Sequence, residues 1–299
     1  MNVTYGILAM AISLALMLCA GCARKVDYLS PERLDKGLVV SLDGVGGYNV
    51  GPRWLRTGLD EGGVGAAIHI FNWGHGPAGM FVADLWDHNG NMRRAAEMVQ
   101  LVTNYGKFYP GRPINLVGHS GGGGMVVFAL EQMPEGFQVD NAFLLAPALS
   151  PEYNLAPALS HVRRHCYVTH SPGDVPLMGL GTSVFTTMDG KHTVGAGLIG
   201  FKAPEHLSDA DRAQYAKVRQ AAWGGEFLKK GHLGGHMGWS TSSFAREFLA
   251  PIMRTGQSHE AFRPLVPAGE EHDGSASAAS TDGAKGAAAG DATQEGGTP

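Results

Sequence analysis

Cysteine and net positive charge are both scarce in this chain of 299 residues. Its three cysteines are Cys19, Cys22 and Cys166, and the first two lie in an apolar N-terminal segment. Only Cys166 is left in the body of the chain, which excludes a disulfide framework there. The apolar neighbours Tyr167 and Val168 predict that Cys166 is a buried structural thiol.

The charge balance excludes a basic surface that would bind nucleic acid. The whole chain carries a formal net charge of −4, and residues 268–299 carry six acids against one lysine, a net of −5. The remainder is therefore close to +1, with no stripe of lysine and arginine. Residues 268–299 also contain no Val, Ile, Leu, Met, Phe, Trp or Tyr, so they cannot form a core. We expect residues 257–299 to be a disordered, low-complexity tail.

Three cofactor motifs are missing as well. Gly44 and Gly46 would need a third glycine at position 49 for a dinucleotide-binding loop, and that position is Asn49. There is no P-loop and no H-E-x-x-H sequence. His232 and His236 have the spacing of a helical metal pair, but two glycines between them disfavour a helix. We therefore expect neither a metal nor an organic cofactor.

An uncharged apolar run over residues 5–20 predicts a signal peptide covering residues 1–22. Residues 18–22 resemble a bacterial lipoprotein box, which implies lipidation of Cys22. Cys19 departs from that box, and no lysine or arginine precedes the apolar run. Ordinary cleavage close to Ala23 and an uncleaved anchor are the alternatives. The expected location is the extracytoplasmic side, with the membrane bound through lipidated Cys22.

Between residues 37 and 253, short runs rich in Val, Ile and Leu alternate with segments of helical period. This alternation predicts an α/β fold, a mostly parallel sheet with helices on both faces. The interval of residues 150–162 leaves little room for a large cap over the site. We expect a linker over residues 23–36 and one domain over residues 37–256. The predicted strands are Leu38–Leu42, Ala66–Phe71, Ile114–Val117, Ala142–Leu145 and His165–Thr169.

Helix and turn signals lie between and after these strands. Asn91 is the predicted N-cap of a long amphipathic helix, and Ser208 opens a second helix through a capping box. A third helix is expected after Ser240. Asp189 and Gly190 resemble the turn of a β-hairpin.

The sequence Gly118-His119-Ser120-Gly121-Gly122 joins an apolar strand to an apolar helix. Small residues on both sides of the serine are what a nucleophile elbow requires, because the serine backbone is strained. Such an elbow presents the hydroxyl above the sheet edge. It also places the Gly121 N–H at a helix N-terminus, where it stabilises a developing oxyanion.

A serine hydroxyl needs a base, and the base needs an orienting carboxylate. Asp174 follows the fifth predicted strand in a tight turn, and His236 lies in a glycine-rich loop before the last helix. The order Ser120, Asp174, His236 resembles that of the α/β-hydrolase family over residues 37–253. The resemblance implies that Ser120 is the nucleophile, His236 the general base and acid, and Asp174 the residue that orients the imidazole.

Alternatives remain for two of these three residues. His232 competes with His236 as the base, and the position of His236 directly before the final helix favours it. Asp174 is also an ordinary turn residue. Asp140 and Asp189 are weaker candidates for the carboxylate.

The first strand runs into Asp43, followed by Gly-Val-Gly-Gly. The α/β-hydrolase resemblance implies that this loop supplies the second oxyanion donor, which we assign to the Val45 N–H, with Gly46 as the alternative. The family has a histidine where this chain has Asp43. A carboxylate there opposes the developing negative charge unless it points away and is hydrogen-bonded.

The sequence therefore predicts an exported serine hydrolase that cleaves an ester or related acyl bond through an acyl-enzyme on Ser120. The expected partner is a small-molecule or lipid-like acyl substrate. Two alternatives remain open. One is a catalytically silent binding protein with the same fold at the membrane, and the other is an acyltransferase or peptidase that uses the same triad.

Overall fold

The structure is a computed structural model that describes residues 26–76, 81–174 and 186–267. The predicted signal segment, the lipidation site Cys22 and residues 268–299 of the predicted tail lie outside the described residues. No helix of the described part has both the length and the apolar character needed to cross a membrane.

The centre of the fold is a seven-stranded sheet in the order β2-β1-β3-β4-β5-β6-β7. The neighbours from β2 to β6 pair in parallel, and β7 pairs antiparallel with β6. This sheet confirms the predicted fold class. The strands are β1 (Leu38–Leu42), β2 (Ala67–Ile70), β3 (Ile114–His119), β4 (Val139–Leu145), β5 (Val162–His170), β6 (Val218–Ala222) and β7 (Arg263–Pro264).

Helices cover both faces of the sheet. Alternate residues of one strand point to opposite faces, and β1 shows this directly: Leu38 and Val40 belong to one buried cluster, whereas Val39 belongs to the other. The helices are α1 (Pro31–Leu34), α2 (Val50–Glu61), α3 (Phe81–Trp86), α4 (His88–Phe108), α5 (Gly121–Glu131), α6 (Ala156–Ser160), α7 (Ala196–Ile199), α8 (Asp209–Tyr215), α9 (Gly225–Lys229), α10 (Ser242–Phe244) and α11 (Ala250–Thr255).

Two faces of one β-sheet therefore hold two cores. The first core lies under α4 and α5 and includes Met98 and Val126. The second lies under α2, α10 and α11 and includes Leu55 and Phe244. A π-helical turn, Ala245–Leu249, joins α10 to α11.

Some local predictions were confirmed and others were wrong. The Ser208 hydroxyl accepts the Asp211 N–H at the start of α8, as the capping box predicted. The N-cap of α4 is Asp87 rather than Asn91, which is buried within the helix and donates to the Asp84 carbonyl oxygen. Gly190 does lie in a turn, but no strands flank it among the described residues, so the hairpin prediction was wrong.

The folded region extends beyond both boundaries predicted for the domain, residues 37 and 256. At the N-terminal side, the Tyr28 carbonyl oxygen accepts the Ile68 N–H from β2, so part of the predicted linker packs on the sheet. At the C-terminal side, Phe262 and Val266 are buried and β7 pairs with β6. Residues 257–267 therefore belong to the folded domain. The few isolated apolar residues in this segment, next to a polar tail, form too weak a pattern to predict that it is folded.

The site is positioned by the carboxyl ends of three parallel strands, β1, β3 and β5. Asp43 follows β1, Ser120 follows β3, and Asp174 lies in a 3₁₀ turn after β5. His236 begins another 3₁₀ turn, His236–Ser240, directly before α10. The packing of α10 against α2 therefore determines the position of His236.

A close backbone contact joins α2 to α10. A Cβ atom on Gly58 of α2 would lie 2.1 Å from the Ser242 carbonyl oxygen. We expect Gly58→Ala to lower the free energy of unfolding by roughly 1–3 kcal/mol, because the added methyl forces the helices apart. Chemical denaturation measures this. The matched control is Gly225→Ala at the start of α9, where a Cβ meets nothing within 4 Å. Equal stability of the two variants would contradict the prediction.

Candidate functional site

Ser120 has the strained backbone of a nucleophile elbow. Its φ of 55° and ψ of −120° lie outside the usual regions for a residue with a side chain. The Ser120 N–H donates to the Leu145 carbonyl oxygen at 2.8 Å. A Cβ on Gly118 would lie 2.2 Å from the Gly122 carbonyl oxygen, so only glycine fits at position 118. The strand, the turn and the helix α5 follow in the order predicted from the sequence.

Asp174 and His236 are joined by a short hydrogen bond. The Nδ1–H of His236 donates to the Asp174 carboxylate at 2.5 Å, and both side chains are buried. Burial lowers the pKa of His236 to about 4, which keeps the ring neutral at neutral pH. A ring whose Nδ1 carries the proton has a lone pair on Nε2. This nitrogen is then able to accept a proton from another group.

His119 connects this pair to the elbow, and the sequence analysis gave it no role. The buried Nε2–H of His119 donates to the His236 backbone carbonyl at 3.0 Å, and the two ring centroids lie 4.5 Å apart. Burial lowers the pKa of His119 to about 3, so this ring also stays neutral. Because His119 is the residue before Ser120, its contact fixes the His236 turn next to the elbow. Its position inside the glycine-rich motif was the only signal in the sequence.

The Ser120 hydroxyl makes no hydrogen bond to any residue in the described part of the chain. It lies beside the loop after β1, since a Cβ on Gly44 would be 3.6 Å from Oγ. Contacts between a nucleophile and its base are commonly long without substrate and shorten when substrate binds. The structure therefore bonds His236 to Asp174 and places His236 against His119, the residue before Ser120.

In the loop after β1, the N–H groups of Gly44 and Gly46 have acceptors, whereas the Val45 N–H between them has none in the described part of the chain. The Gly44 N–H donates to the Asp43 carboxylate at 2.9 Å, and the Gly46 N–H donates to the Asp84 carboxylate at 2.7 Å. Within the described residues, the Val45 N–H has no acceptor. A Cβ on Gly121 would lie 2.9 Å from the Val45 side chain, so the two predicted oxyanion donors come from adjacent segments.

Asp43 is held in place by the loop it precedes. Its carboxylate accepts the Gly44 N–H, and its carbonyl oxygen accepts the Trp73 indole N–H at 2.8 Å. A carboxylate at this position opposes a developing negative charge unless it points away and is hydrogen-bonded. The bond from the Gly44 N–H meets the second of these conditions.

His232 lies in an aromatic cluster, and neither of its ring nitrogens is bonded to Asp174. Its ring centroid is 4.1 Å from that of Trp239, and its Nδ1 accepts the Gly234 N–H. A Cβ on Gly238 would lie 2.3 Å from the His232 ring, which shows how tightly the ring is enclosed. His232 thus stabilises the loop that carries His236.

The two weaker carboxylate candidates also lie elsewhere. Asp140 accepts the Ile114 N–H at the amino end of β3 and pairs with Arg163, at the opposite edge of the sheet from Ser120. Asp189 accepts both the N–H and the hydroxyl of Ser150. Each carboxylate therefore has a structural role that accounts for its position.

The thiol of Cys166 is buried and free, as predicted. Burial raises its pKa to about 12, which keeps it protonated and unreactive. In the described ranges, no group of three or more His, Cys, Asp and Glu side chains is arranged to hold a metal ion.

No protein-family model matches this chain. No curated protein matches it either.

Solved structures show a distant likeness. The chain is similar to a predicted CIB-like hydrolase from Thermoplasma acidophilum, with 14% identity, a TM-score of 0.42, and coverage of 76% of this chain and 89% of the other. It is also similar to a poly(3-hydroxybutyrate) depolymerase from Bordetella parapertussis, with 13% identity, a TM-score of 0.43, and coverage of 78% and 82%. A cutinase-like protein from Cryptococcus sp. has 12% identity, a TM-score of 0.38, and coverage of 75% and 97%.

The chain's own topology identifies its fold. The order β2-β1-β3-β4-β5-β6, the elbow after β3 and helices on both faces together make the α/β-hydrolase fold that the sequence predicted.

Three buried imidazoles make the stability of the protein depend on pH. Burial lowers the pKa of His119 to about 3 and those of His232 and His236 to about 4. An unfolded histidine has a pKa of about 6.5. Between these values the unfolded chain binds protons that the folded chain does not. The free energy of unfolding should therefore fall as pH is lowered from 6.5 towards 4, by up to about 1.4 kcal/mol per pH unit for each imidazole.

Urea unfolding at several pH values between 7 and 4.5 measures this dependence. His232→Asn keeps an acceptor for the Gly234 N–H but removes one titrating group, so it should flatten the pH dependence. His192→Gln is the matched control on an exposed histidine and should leave the slope unchanged. A stability that stays constant over this range would contradict the prediction.

Proposed function

We propose that this protein is a serine hydrolase that cleaves an ester or related acyl bond through an acyl-enzyme on Ser120. The 2.5 Å hydrogen bond from His236 to Asp174, held beside a strained Ser120, is the observation that carries the proposal. An imidazole whose Nδ1–H is fixed by a buried carboxylate has only Nε2 free for proton transfer. A serine at an elbow is the nucleophile that such a base serves.

In the proposed reaction, the Ser120 oxygen attacks the acyl carbonyl carbon while its proton moves to Nε2 of His236. The Asp174 carboxylate stabilises the imidazolium that forms. When the tetrahedral intermediate collapses, the bond to the leaving group breaks and His236 gives it the proton. Water then attacks the acyl carbon of the acyl-enzyme while its proton moves to His236. When this second intermediate collapses, the bond from the acyl carbon to the Ser120 oxygen breaks, His236 returns the proton to that oxygen, and the acid is released.

The oxyanion of each intermediate would be held by two backbone donors, the N–H groups of Gly121 and Val45. Gly121 is the first residue of α5, so its N–H has no partner within the helix. Val45 offers its N–H without a competing acceptor in the described chain. Gly46, the other register considered, donates to Asp84 instead. This difference in partners favours Val45.

Apolar side chains support an acyl substrate with hydrophobic character. Leu233 and Met237, on the two sides of His236, are 83% and 43% exposed, and Tyr48 after the oxyanion loop is 57% exposed. Exposed apolar groups beside a site are suited to contact with an apolar ligand. We further propose that the protein is exported and tethered through a lipid on Cys22, which would place this site near lipid-like esters.

A fluorophosphonate probe should label Ser120, because the reagent reacts with an activated serine. Mass spectrometry of the labelled peptide identifies the position. Ser120→Ala should abolish the label, and Ser150→Ala is the matched control on a buried serine that donates to Asp189. Label that persists in Ser120→Ala would reject the nucleophile. A wild type that is neither labelled nor active on any acyl ester would instead favour a silent binding protein with this fold.

Kinetics of p-nitrophenyl ester hydrolysis separate the two histidines. His236→Ala should reduce kcat nearly as far as Ser120→Ala, leaving only the ~10³–10⁴-fold acceleration over water that oxyanion donors and binding supply. His232→Asn should retain most of kcat, because His232 packs against Trp239 and not against Asp174. The reverse ranking, with His236→Ala only mildly affected, would make His232 the base.

A further inference from the structure

Asp84 contacts the loop that carries a proposed oxyanion donor, and the proposed reaction gives Asp84 no role. It lies on α3 and is fully buried. One oxygen accepts the Gly46 N–H at 2.7 Å. The other accepts the backbone N–H of His75 at 2.7 Å and the ring Nδ1–H of His75 at 2.8 Å. A single side chain thus ties the loop after β1 to the loop after β2.

This contact fixes the direction of one N–H group in the loop after β1. Gly46 has a φ of 96°, which glycine adopts without strain, and its N–H points at Asp84. The preceding N–H, that of Val45, is left without an acceptor in the described chain. If Gly46 were released, the peptide between Val45 and Gly46 would be free to turn, and Val45 would lose the contact that fixes it from its C-terminal side.

We propose that Asp84 is a positioning residue, which holds Gly46 so that the Val45 N–H is directed at the oxyanion. The proposal rests on the hydrolase function proposed above and deepens it. Oxyanion stabilisation depends on donors that are oriented before the reaction, because no free energy is then spent on turning them. Asp84 supplies that orientation from a helix that contributes none of the proposed triad and oxyanion-hole residues.

His75 lies between two carboxylates and fixes the side of Asp84 that faces the loop after β2. Its Nδ1 lies on Asp84 and its Nε2 lies 3.0 Å from the Asp87 carboxylate. Both carboxylates are acceptors, so both ring nitrogens donate when the ring is protonated. The two hydrogen bonds raise the pKa of His75 above its usual value.

The kinetic test compares Asp84→Asn with Asp87→Asn. Both variants remove one carboxylate from His75, but only Asp84 contacts the oxyanion loop. Asparagine also replaces aspartate well at the N-cap position of Asp87. Asp84→Asn should lower kcat for p-nitrophenyl acetate by roughly 10–100-fold, below the full loss of a donor, and leave KM nearly unchanged. Asp87→Asn should keep kcat within about 3-fold of wild type, because the oxyanion donor is untouched.

A second measurement uses the wild type alone, so it tests the proposal even if the Asp84→Asn variant does not fold. In amide NMR spectra, phosphonylation of Ser120 by a small fluorophosphonate should shift the Val45 resonance strongly and the Gly46 resonance little. A larger shift at Gly46, equal kcat losses in the two variants, or a loss confined to KM would each overturn the proposal.

Failure of the hydrolase function itself gives a different pattern. The wild type would then be unlabelled and inactive. Amide exchange at Gly46, slow in the wild type and faster in Asp84→Asn, would still show that Asp84 holds the loop. Equal exchange in both proteins would overturn that as well.

Discussion

The backbone strain at Ser120 is the constraint on which the rest of the site depends. A non-glycine residue in such a conformation costs on the order of 1–3 kcal/mol, so its surroundings must over-determine it. Here the Ser120 N–H is bonded to β4, its carbonyl oxygen accepts two further N–H groups, and Gly118 lies against Gly122. The hydroxyl is thereby fixed at the edge of the sheet. Every other proposed site residue is placed relative to that point.

The remaining groups reach the elbow by two different routes. Asp43 and Asp174 follow parallel strands and so arrive at the same edge of the sheet with no long connection. His236 comes from the far end of the chain, and its position depends on helix packing: α2 meets α10 at Gly58, and His119 binds the His236 carbonyl. His236, the proposed base, is therefore held by tertiary contacts at both ends of the turn that carries it.

The sequence predicted what local pattern controls. Strands β1 to β5 consist of apolar runs, and the elbow has glycines at a fixed spacing from its serine. Both patterns can therefore be recognised from the sequence alone. The contact of Asp84 with Gly46 could not be predicted, because the two residues are 38 positions apart and an Asp on a short helix has no distinctive pattern. The N-cap of α4 was misplaced because Asp87 and Asn91 both suit that position, and only the buried contact of Asn91 with Asp84 separates them. Strand β7 was missed because two exposed residues, Arg263 and Pro264, have no alternation.

Negative charge is concentrated around a site that is proposed to stabilise negative charge. Asp43, Asp84 and Asp174 are all buried there, and an unpaired buried carboxylate would weaken an oxyanion hole. Each one instead accepts N–H groups, and two of them take theirs from the same loop, at Gly44 and Gly46. Since the N–H groups of Gly44 and Gly46 are occupied, the Val45 N–H between them is the one left without an acceptor among the described residues. The carboxylates that would oppose an oxyanion are thus the acceptors that leave this one donor of the loop available.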